Sequence, residues 1–243
     1  MLTEIGIVTL FPDWFEAFKS MGLTGRASNE SITLRCFNPR DFTTDVHRSV
    51  DDRPYGGGPG MVMRPEPLAQ AIEAAKAGRD TRVSALGPQG KRLNQAMIES
   101  LARRDRLILV CGRYEGMDER VHDRLIDEEW SLGDFVLSGG EYAAAALMDA
   151  VIRLQPGVLG HADSAAQDSF SSGLLDHPHY TRPEIWRDQA VPAVLNSGNH
   201  ARIEQWRRQQ ALQRTAVRRP DLIDSANLTE EERCWLAKPS DLD

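Results

Sequence analysis

The five residues Leu107-Ile-Leu-Val-Cys111 are apolar at every position. A strand with one wet face alternates apolar with polar residues, so a strand without any polar position must be covered on both faces. That is the condition of a central strand in a parallel sheet flanked by helices. The surrounding chain agrees. Ile5 to Leu10 reads as a β-branched strand, followed by Pro12 in the first turn of a helix. Ile32 to Phe37 is a second strand. Pro65 to Lys76 places Leu68, Ile72 and Ala75 on one helical face. Arg82 to Leu86 reads as a strand, and Asn94 caps a helix to about Arg103. Met117 to Ile126 reads as a helix, Phe135 to Leu137 as a strand and Glu141 to Leu154 as a helix. This βα series predicts an α/β fold with a mostly parallel sheet covered by helices.

The alternation stops at Gln155. Gln155 to Leu175 is rich in Gly, Ser, Ala and Asp without a sustained period, which reads as a linker or loop. Beyond it come a turn-rich piece, a basic helix from about His200 to Gln213, and a short helix from Thr229 with Glu232 completing a capping box. The expected division is an α/β domain over 1–160, a linker over 161–175 and a small helical domain over 176–243.

Charge is unevenly spread along this plan. The net charge is −7, from 29 basic and 36 acidic side chains. Between Asn196 and Pro220, however, Arg202, Arg207, Arg208, Arg214, Arg218 and Arg219 face the single acid Glu204. A basic segment on an acidic body points to a polyanionic partner for that segment. The longest apolar stretch, Ala143 to Met148, ends at Asp149 and is far too short for a membrane span. The N-terminus has neither a basic start nor a cleavage pattern, and Cys36, Cys111 and Cys234 are too scattered for a disulfide framework. The expectation is a cytoplasmic protein.

Three strand-like segments end in glycine-bearing loops: Leu86-Gly-Pro-Gln-Gly90, Gly112-Arg-Tyr-Glu-Gly116 and Ser138-Gly-Gly140. Open parallel sheets bind ligands outside the carboxyl ends of their strands, and glycine there lets a ligand approach the backbone. One such loop is ordinarily structural, and Ser138 with Glu141 reads as a capping box around a tight turn. Three on successive strands point to a shared site. No G-x-x-x-x-G-K-[ST] and no helix-opening G-x-G-x-x-G is present, which removes the phosphate-cradling loop and the nicotinamide fingerprint. The glycine run Arg53 to Met63 also lacks a lysine–hydroxyl pair, and reads equally as a plain connection. A ligand met through backbone and apolar contacts, such as a nucleoside, is what remains.

Longer motifs narrow this further. "DDRPYGGGPGMVM" (51–63), "PQG" (88–90), "CGRYEGMDERV" (111–121), "GDFVLSGGE" (133–141), "PGVLG" (156–160), "DSFSSGLLDHPHYTRP" (168–183) and "SGNHARIEQWR" (197–207) follow one another along the chain. In this order they resemble the bacterial tRNA (guanine-N1)-methyltransferases, from end to end. The resemblance implies a trefoil-knotted sheet, an obligate homodimer with the active site at the subunit interface, and S-adenosyl-L-methionine as methyl donor. It implies donor contacts from Leu86, Pro88, Gln89 and Gly90, from Gly112, Arg113, Tyr114, Glu115 and Gly116, and from Leu132, Gly133, Asp134, Phe135, Val136, Leu137, Ser138, Gly139 and Gly140. One departure stands out. The family usually reads Tyr-Leu-Ser-Pro-Gln-Gly where this chain has Ala85-Leu-Gly87-Pro-Gln-Gly90.

The implied reaction methylates N1 of the guanosine at position 37, immediately 3′ of the tRNA anticodon. N1 has no free lone pair while protonated, so a base must take its proton and a cation near O6 would hold the charge that develops. The resemblance assigns Asp168 as base and Arg153 as the O6 partner. By residue type alone, the first is an acid in a loop and the second a basic residue suited to a helix C-terminus. Asp176, His179, Arg182, Asn199 and His200 are expected to contact the tRNA, as are Arg207 and Arg208 on the basic helix. Mg²⁺ is a further implied requirement, although no carboxylate cage is visible, and His177 and His179 around Pro178 read as a turn rather than a metal site. Two other readings use the same features. A non-enzymatic RNA-binding protein would not bind the donor, and another nucleotide-using α/β transferase, such as a phosphoryl transferase, would turn over a nucleoside triphosphate.

Overall fold

The computed structural model describes residues 1–160, 167–226 and 228–236. The chain divides into two compact units, Met1–Gly160 and His161–Asp243.

In the first unit β1 (Glu4–Val8) leads into α1 (Pro12–Ser20), with Pro12 in its first turn, and then α2 (Gly22–Glu30). Next come β2 (Thr33–Phe37), the short antiparallel ribbon β3 (Asp51–Asp52) and β4 (Val62–Met63), and α3 (Pro65–Lys76). The rest is β5 (Val83–Arg92), α4 (Gln95–Ala102), β6 (Arg106–Cys111), α5 (Glu119–Leu125), β7 (Glu128–Ser131) and α6 (Glu141–Ile152). The main sheet has the order β2-β1-β6-β5-β7, with every pairing parallel.

The all-apolar segment is the middle strand of that order and is buried throughout. Leu107, Leu109 and Cys111 join one core with Ile5, Ile7, Phe15, Leu147 and Met148. Ile108 and Val110 point the other way, into a second core with Val8, Leu68, Ile72 and Val121. Period-2 alternation thus feeds two layers from one strand. Truncating Ile108 or Leu109 to Ala would cost about 2–5 kcal/mol, as filled core positions do. Asn94 caps α4 as its sequence suggests, its Oδ1 accepting from Met97 N at 3.0 Å.

Several expectations are corrected. Gly22–Glu30, given no element from the sequence, is helical although it lacks an apolar stripe. Its N-terminal turn bonds from Gly25 N to Met21 O at 2.9 Å, and Ala27 is fully buried. The last strand is Glu128–Ser131, not Phe135 to Leu137. Phe135, Val136 and Leu137 sit in an irregular loop at 55, 89 and 40 % exposure, after Gly133 turns the chain at φ +156°. No cap forms from Ser138: the residue before α6 is Gly140, and the Glu141 side chain turns inward, away from the helix N-terminus. β5 also runs on through the Gly-Pro-Gln-Gly stretch, with a register shift in which Leu86 and Lys91 both pair with Trp130.

The second unit is mostly helical: α7 (His200–Arg218), α8 (Pro220–Ser225) and α9 (Glu230–Leu236). Leu174, Leu212 and Leu228 form its core, with Ile223 and Trp235 packed on it. The capping box is present in both directions, Thr229 N donating to Glu232 at 2.8 Å and Glu232 N to Thr229 Oγ1 at 3.2 Å. The expectation of helices alone misses one hairpin, β8 (Ile185–Trp186) with β9 (Gln189–Ala190), whose turn puts Arg187 and Asp188 at φ 49° and 65°. Two positive φ values are what a tight hairpin turn requires.

Candidate active site

The three glycine-bearing segments Leu86–Gly90, Gly112–Gly116 and Leu132–Gly140 surround one cavity of about 350 Å³. Of the residues expected there, Leu86, Pro88, Gln89, Gly112, Arg113, Tyr114, Glu115, Gly116, Leu132, Gly133, Phe135, Val136, Leu137, Ser138, Gly139 and Gly140 line it. Gly90 and Asp134 do not. Gly90 supports the site from behind, because a Cβ on it would lie 2.5 Å from the backbone of Glu129 and Trp130. Asp134 is 93 % exposed and meets Arg92 at 3.7 Å. Gly140 is a second close approach: its N–H donates to Gly112 O at 2.9 Å, and an added Cβ would come within 2.8 Å of Cys111 Cα. Glycine at these two places lets separate segments touch backbone to backbone.

Arg113 ties the loops together. Its Nη1 donates to Ser138 O at 3.0 Å, its guanidinium lies 4.3 Å over the Phe11 ring, and its Nε stands 2.9 Å from Glu141 Oε2. The Nε approach lacks hydrogen-bond alignment, so that contact is Coulombic. Glu141 is fully buried, and its other oxygen accepts from Thr9 Oγ1 at 2.9 Å. Burial, reinforced by the Glu141 charge, holds the Cys111 thiol well above its ordinary pKa, so the site contains no thiolate nucleophile at Cys111.

Sequence reasoning missed part of the lining: Gly87, Met117, Glu119, His122, Glu129, Trp130, Ser131 and Ala143. Recognising Glu128–Ser131 as a strand would have placed Glu129 and Ser131 at its carboxyl end. Glu129 bears on the departure noted above. Its Oε1 lies 2.1 Å from where a Cβ on residue 87 would stand, so this carboxylate occupies the room a serine side chain would take. His122 Nε2 holds the other oxygen at 3.2 Å. Ala85 is buried in the sheet against Val110 and Glu129 and does not face the cavity.

The catalytic candidates sit apart in the chain. Arg153 caps the C-terminal end of α6, its N–H bonding Asp149 O at 3.0 Å, and is not among the cavity's lining residues. Asp168 belongs to the second unit, where its carbonyl accepts from Ser171 N at 3.2 Å. The linker residues 161–166 lie outside the described residues.

In the second unit His179, Arg182 and Arg207 line another cavity, of about 480 Å³, with His177 and Glu184. Asp176 binds both neighbouring histidines, at 2.7 Å to His177 Nδ1 and 2.8 Å to His179 Nε2. Burial pushes the Asp176 carboxyl up, but the hydrogen bonds from His179 and the His177 backbone outweigh it and hold it below its ordinary value. Burial also lowers His177, keeping that imidazole neutral at neutral pH. Three potential ligand atoms gather here within 4.8 Å of one another. Asn199 caps α7 by accepting from Arg202 N at 3.2 Å, and His200 is the first residue of that helix. Arg207 Nη1 reaches Glu204 at 2.8 Å. Arg208 Nε donates to Glu232 Oε1 at 2.7 Å.

A sequence profile of the family described as tRNA (Guanine-1)-methyltransferase TrmD matches residues 3–225. The chain belongs to that family. Among its tRNA (guanine-N(1)-)-methyltransferase relatives, the protein of Shewanella loihica is 59 % identical over 237 residues, covering 96 % of either chain. That of Psychromonas ingrahamii is 58 % identical over 239 residues, again covering 96 % of each. That of Proteus mirabilis is 57 % identical over 237 residues, covering 96 % of this chain and 95 % of its own. The seven motifs read from the sequence fall inside the matched span, as do the loops around the first cavity.

Among the described residues no cluster of three or more oxygen-only ligands stands out for the implied Mg²⁺. The two clusters that could hold a metal, Asp176-His177-His179 and Glu119-His122-Asp123, both bring imidazole nitrogen, whereas Mg²⁺ takes oxygen.

Proposed function

We propose that this chain transfers a methyl group from S-adenosyl-L-methionine to N1 of guanosine 37 in tRNA. The observation that carries the reading is the family match over 3–225 combined with three glycine-bearing segments meeting at one cavity. The cavity's composition supports the donor. Its backbone-rich loops suit an adenine and a methionyl chain. Its side chains include the carboxylates Glu115, Glu119 and Glu129 against the single arginine Arg113, a balance that favours a cationic ligand such as a sulfonium. The close crossing of Gly140 over Cys111 and Gly112 is compatible with a knotted crevice.

The donor supplies an electrophilic methyl carbon on a sulfonium. The rest of the chemistry falls to side chains. Asp168 accepts the proton from guanine N1, the freed N1 lone pair bonds to the methyl carbon, and the electrons of the broken S–C bond return to sulfur. Arg153 holds the charge that builds on O6. The second unit binds the tRNA through Asp176, His179, Arg182, Asn199, His200 and Arg207, with Arg208 placing α7 against α9.

The working form is a homodimer with the active site at the subunit interface. Tyr114, Phe135, Val136 and Leu137 at the cavity are 40–89 % exposed, and such a group of apolar side chains calls for cover by a ligand or a second copy. No helix among the described residues is long and apolar enough to cross a membrane, which agrees with a protein acting on cytoplasmic tRNA.

Incubation with unmodified tRNA and methyl-labelled donor, followed by nucleoside analysis, tests the reading. Label should appear in 1-methylguanosine and vanish when guanosine 37 is replaced. Donor bound without transfer would leave a binding protein, and label in another nucleoside would refute the assignment.

A further inference from the structure

The segment Asp176-His177-Pro178-His179 has a geometry that tRNA binding does not require. The two imidazole rings lie 4.4 Å apart, tilted by 47°, on either side of one carboxylate. The His177 side chain is 14 % exposed and that of Asp176 23 %, so two of three potential ligands are held in place by the fold. His179, at 69 %, is free to adjust. The potential ligand atoms all lie within 4.8 Å of one another.

We infer that these three residues form a binding site for a divalent transition-metal ion of the zinc class, with one coordination position left open. Zinc takes nitrogen at about 2.0–2.1 Å and carboxylate oxygen at about 2.0–2.2 Å in a tetrahedron, which sets ligand atoms roughly 3.3 Å apart. The present spacings reach that arrangement through small movements, chiefly of exposed His179. Two imidazoles and a carboxylate select zinc, cobalt or nickel over magnesium or calcium. Three protein ligands leave a fourth position, and His177 and His179 both border the 480 Å³ cavity that also holds Arg182 and Arg207.

Those arginines set the character of the fourth ligand. Their charges oppose a bare cation and favour an anion, so an anionic oxygen such as that of a phosphate would bond the metal and meet a guanidinium. Metal and phosphate therefore bind with positive coupling, each raising the affinity for the other by the same factor. The second candidate cluster, Glu119-His122-Asp123, is weaker. It offers one imidazole, which Glu129 already engages at 3.2 Å, and its two acids are exposed. The inference stands on this geometry alone and does not need the proposed methyl transfer to be right.

The test is titration of the untagged, metal-free full chain with Co²⁺, read by visible absorption, with Zn²⁺ as competitor. One Co²⁺ per chain with the intense bands of four-coordinate cobalt, displaced by Zn²⁺, is expected. His177→Ala and His179→Ala should each weaken it by more than the about 10–100-fold that follows loss of a ligand's outer partner. Glu119→Gln with Asp123→Asn should leave it unchanged. Inorganic phosphate should shift the bands and tighten Co²⁺ binding in the parent chain but not in Arg182→Ala/Arg207→Ala. Far-ultraviolet circular dichroism checks that each variant is folded, and exposed His179 gives the safest substitution. Weak six-coordinate spectra, bands that survive in His179→Ala, or bands lost only in the Glu119/Asp123 variant would overturn the site. Bands indifferent to phosphate would overturn the open position.

Discussion

The pair Arg113–Glu141 should behave asymmetrically when broken, and the asymmetry follows from exposure. At 2.9 Å and an effective dielectric of about 20, the gross attraction is about 6 kcal/mol, against a desolvation cost of several kcal/mol for each ion. The net worth of the intact pair is therefore small, but the cost of halving it is not. Arg113→Met leaves Glu141, fully buried, with the Thr9 hydroxyl as its remaining polar contact. An uncompensated buried charge of this kind costs about 3–5 kcal/mol. Glu141→Gln leaves Arg113, whose side chain is 20 % exposed and keeps Ser138 O at 3.0 Å and the Phe11 ring at 4.3 Å. That loss should be smaller, because the surviving charge reaches water and keeps both contacts. Arg113→Met/Glu141→Gln should cost less than the two summed, by about 2–3 kcal/mol, at the upper end of couplings between touching residues.

Hydrogen exchange of the β6 amides, 106–111, is the right assay, because it reports opening of the first unit without mixing in the second. Donor affinity should fall in Arg113→Met, since Arg113 joins the Gly112–Gly116 loop to Ser138, and should fall less in Glu141→Gln, which keeps that contact. Additive costs within about 0.5 kcal/mol, or a larger loss for Glu141→Gln than for Arg113→Met, would refute the reasoning.

Asp168→Asn should leave S-adenosyl-L-methionine affinity by calorimetry near normal while single-turnover transfer falls by about two to four orders of magnitude, the worth of a general base; a fall of only a fewfold removes it from the mechanism. Arg207→Ala should lower the slope of log affinity for tRNA against log salt by about one unit, the contribution of a single phosphate contact. Arg208→Ala should leave that slope alone and destabilise the second unit through loss of Glu232, so equal slope changes would contradict the division of labour. For Glu128, burial raises the carboxyl, but hydrogen bonds from Arg104 and Ser84 and the charges of Arg104 and Arg82 outweigh it and hold it below its ordinary value. A depressed folded pKa gives stability that is present above the unfolded value and lost as pH falls through the folded one. The stability gap between the parent chain and Glu128→Gln should thus be full near pH 7 and shrink below about pH 4.5, and a pH-independent gap in urea unfolding would contradict it. Mixed Arg153→Ala and Asp168→Asn proteins, each inactive, should recover activity on subunit exchange, whereas a monomer by light scattering would exclude a shared site.

Two of the corrected assignments, at Glu128–Ser131 and at Phe135 to Leu137, fail for one physical reason: local pattern says nothing of distant contacts. Local pattern identified β6 because its own side chains are apolar on both faces, and that unbroken run is legible without any distant partner. Glu128-Glu-Trp-Ser131 carries no such pattern, and carboxylates are depleted in strands. It is a strand because distant partners neutralise it: Arg104 grips Glu128 with both terminal nitrogens, Ser84 donates to the same carboxylate at 2.6 Å, and His122 holds Glu129. Those contacts exist only after the sheet has formed. Phe135-Val-Leu137 is the converse case, an apolar run that looks like a strand yet forms none and stays exposed among the described residues. Its hydrophobicity is left unspent within the first unit, at the edge of the glycine-lined cavity. A globular chain keeps such a triplet exposed at a cost in solubility, and that cost is offset only if something outside the unit covers it. The residues that local pattern misplaces at Phe135 border the glycine-lined cavity, so the failed strand assignment and the cavity fall at one place in the first unit.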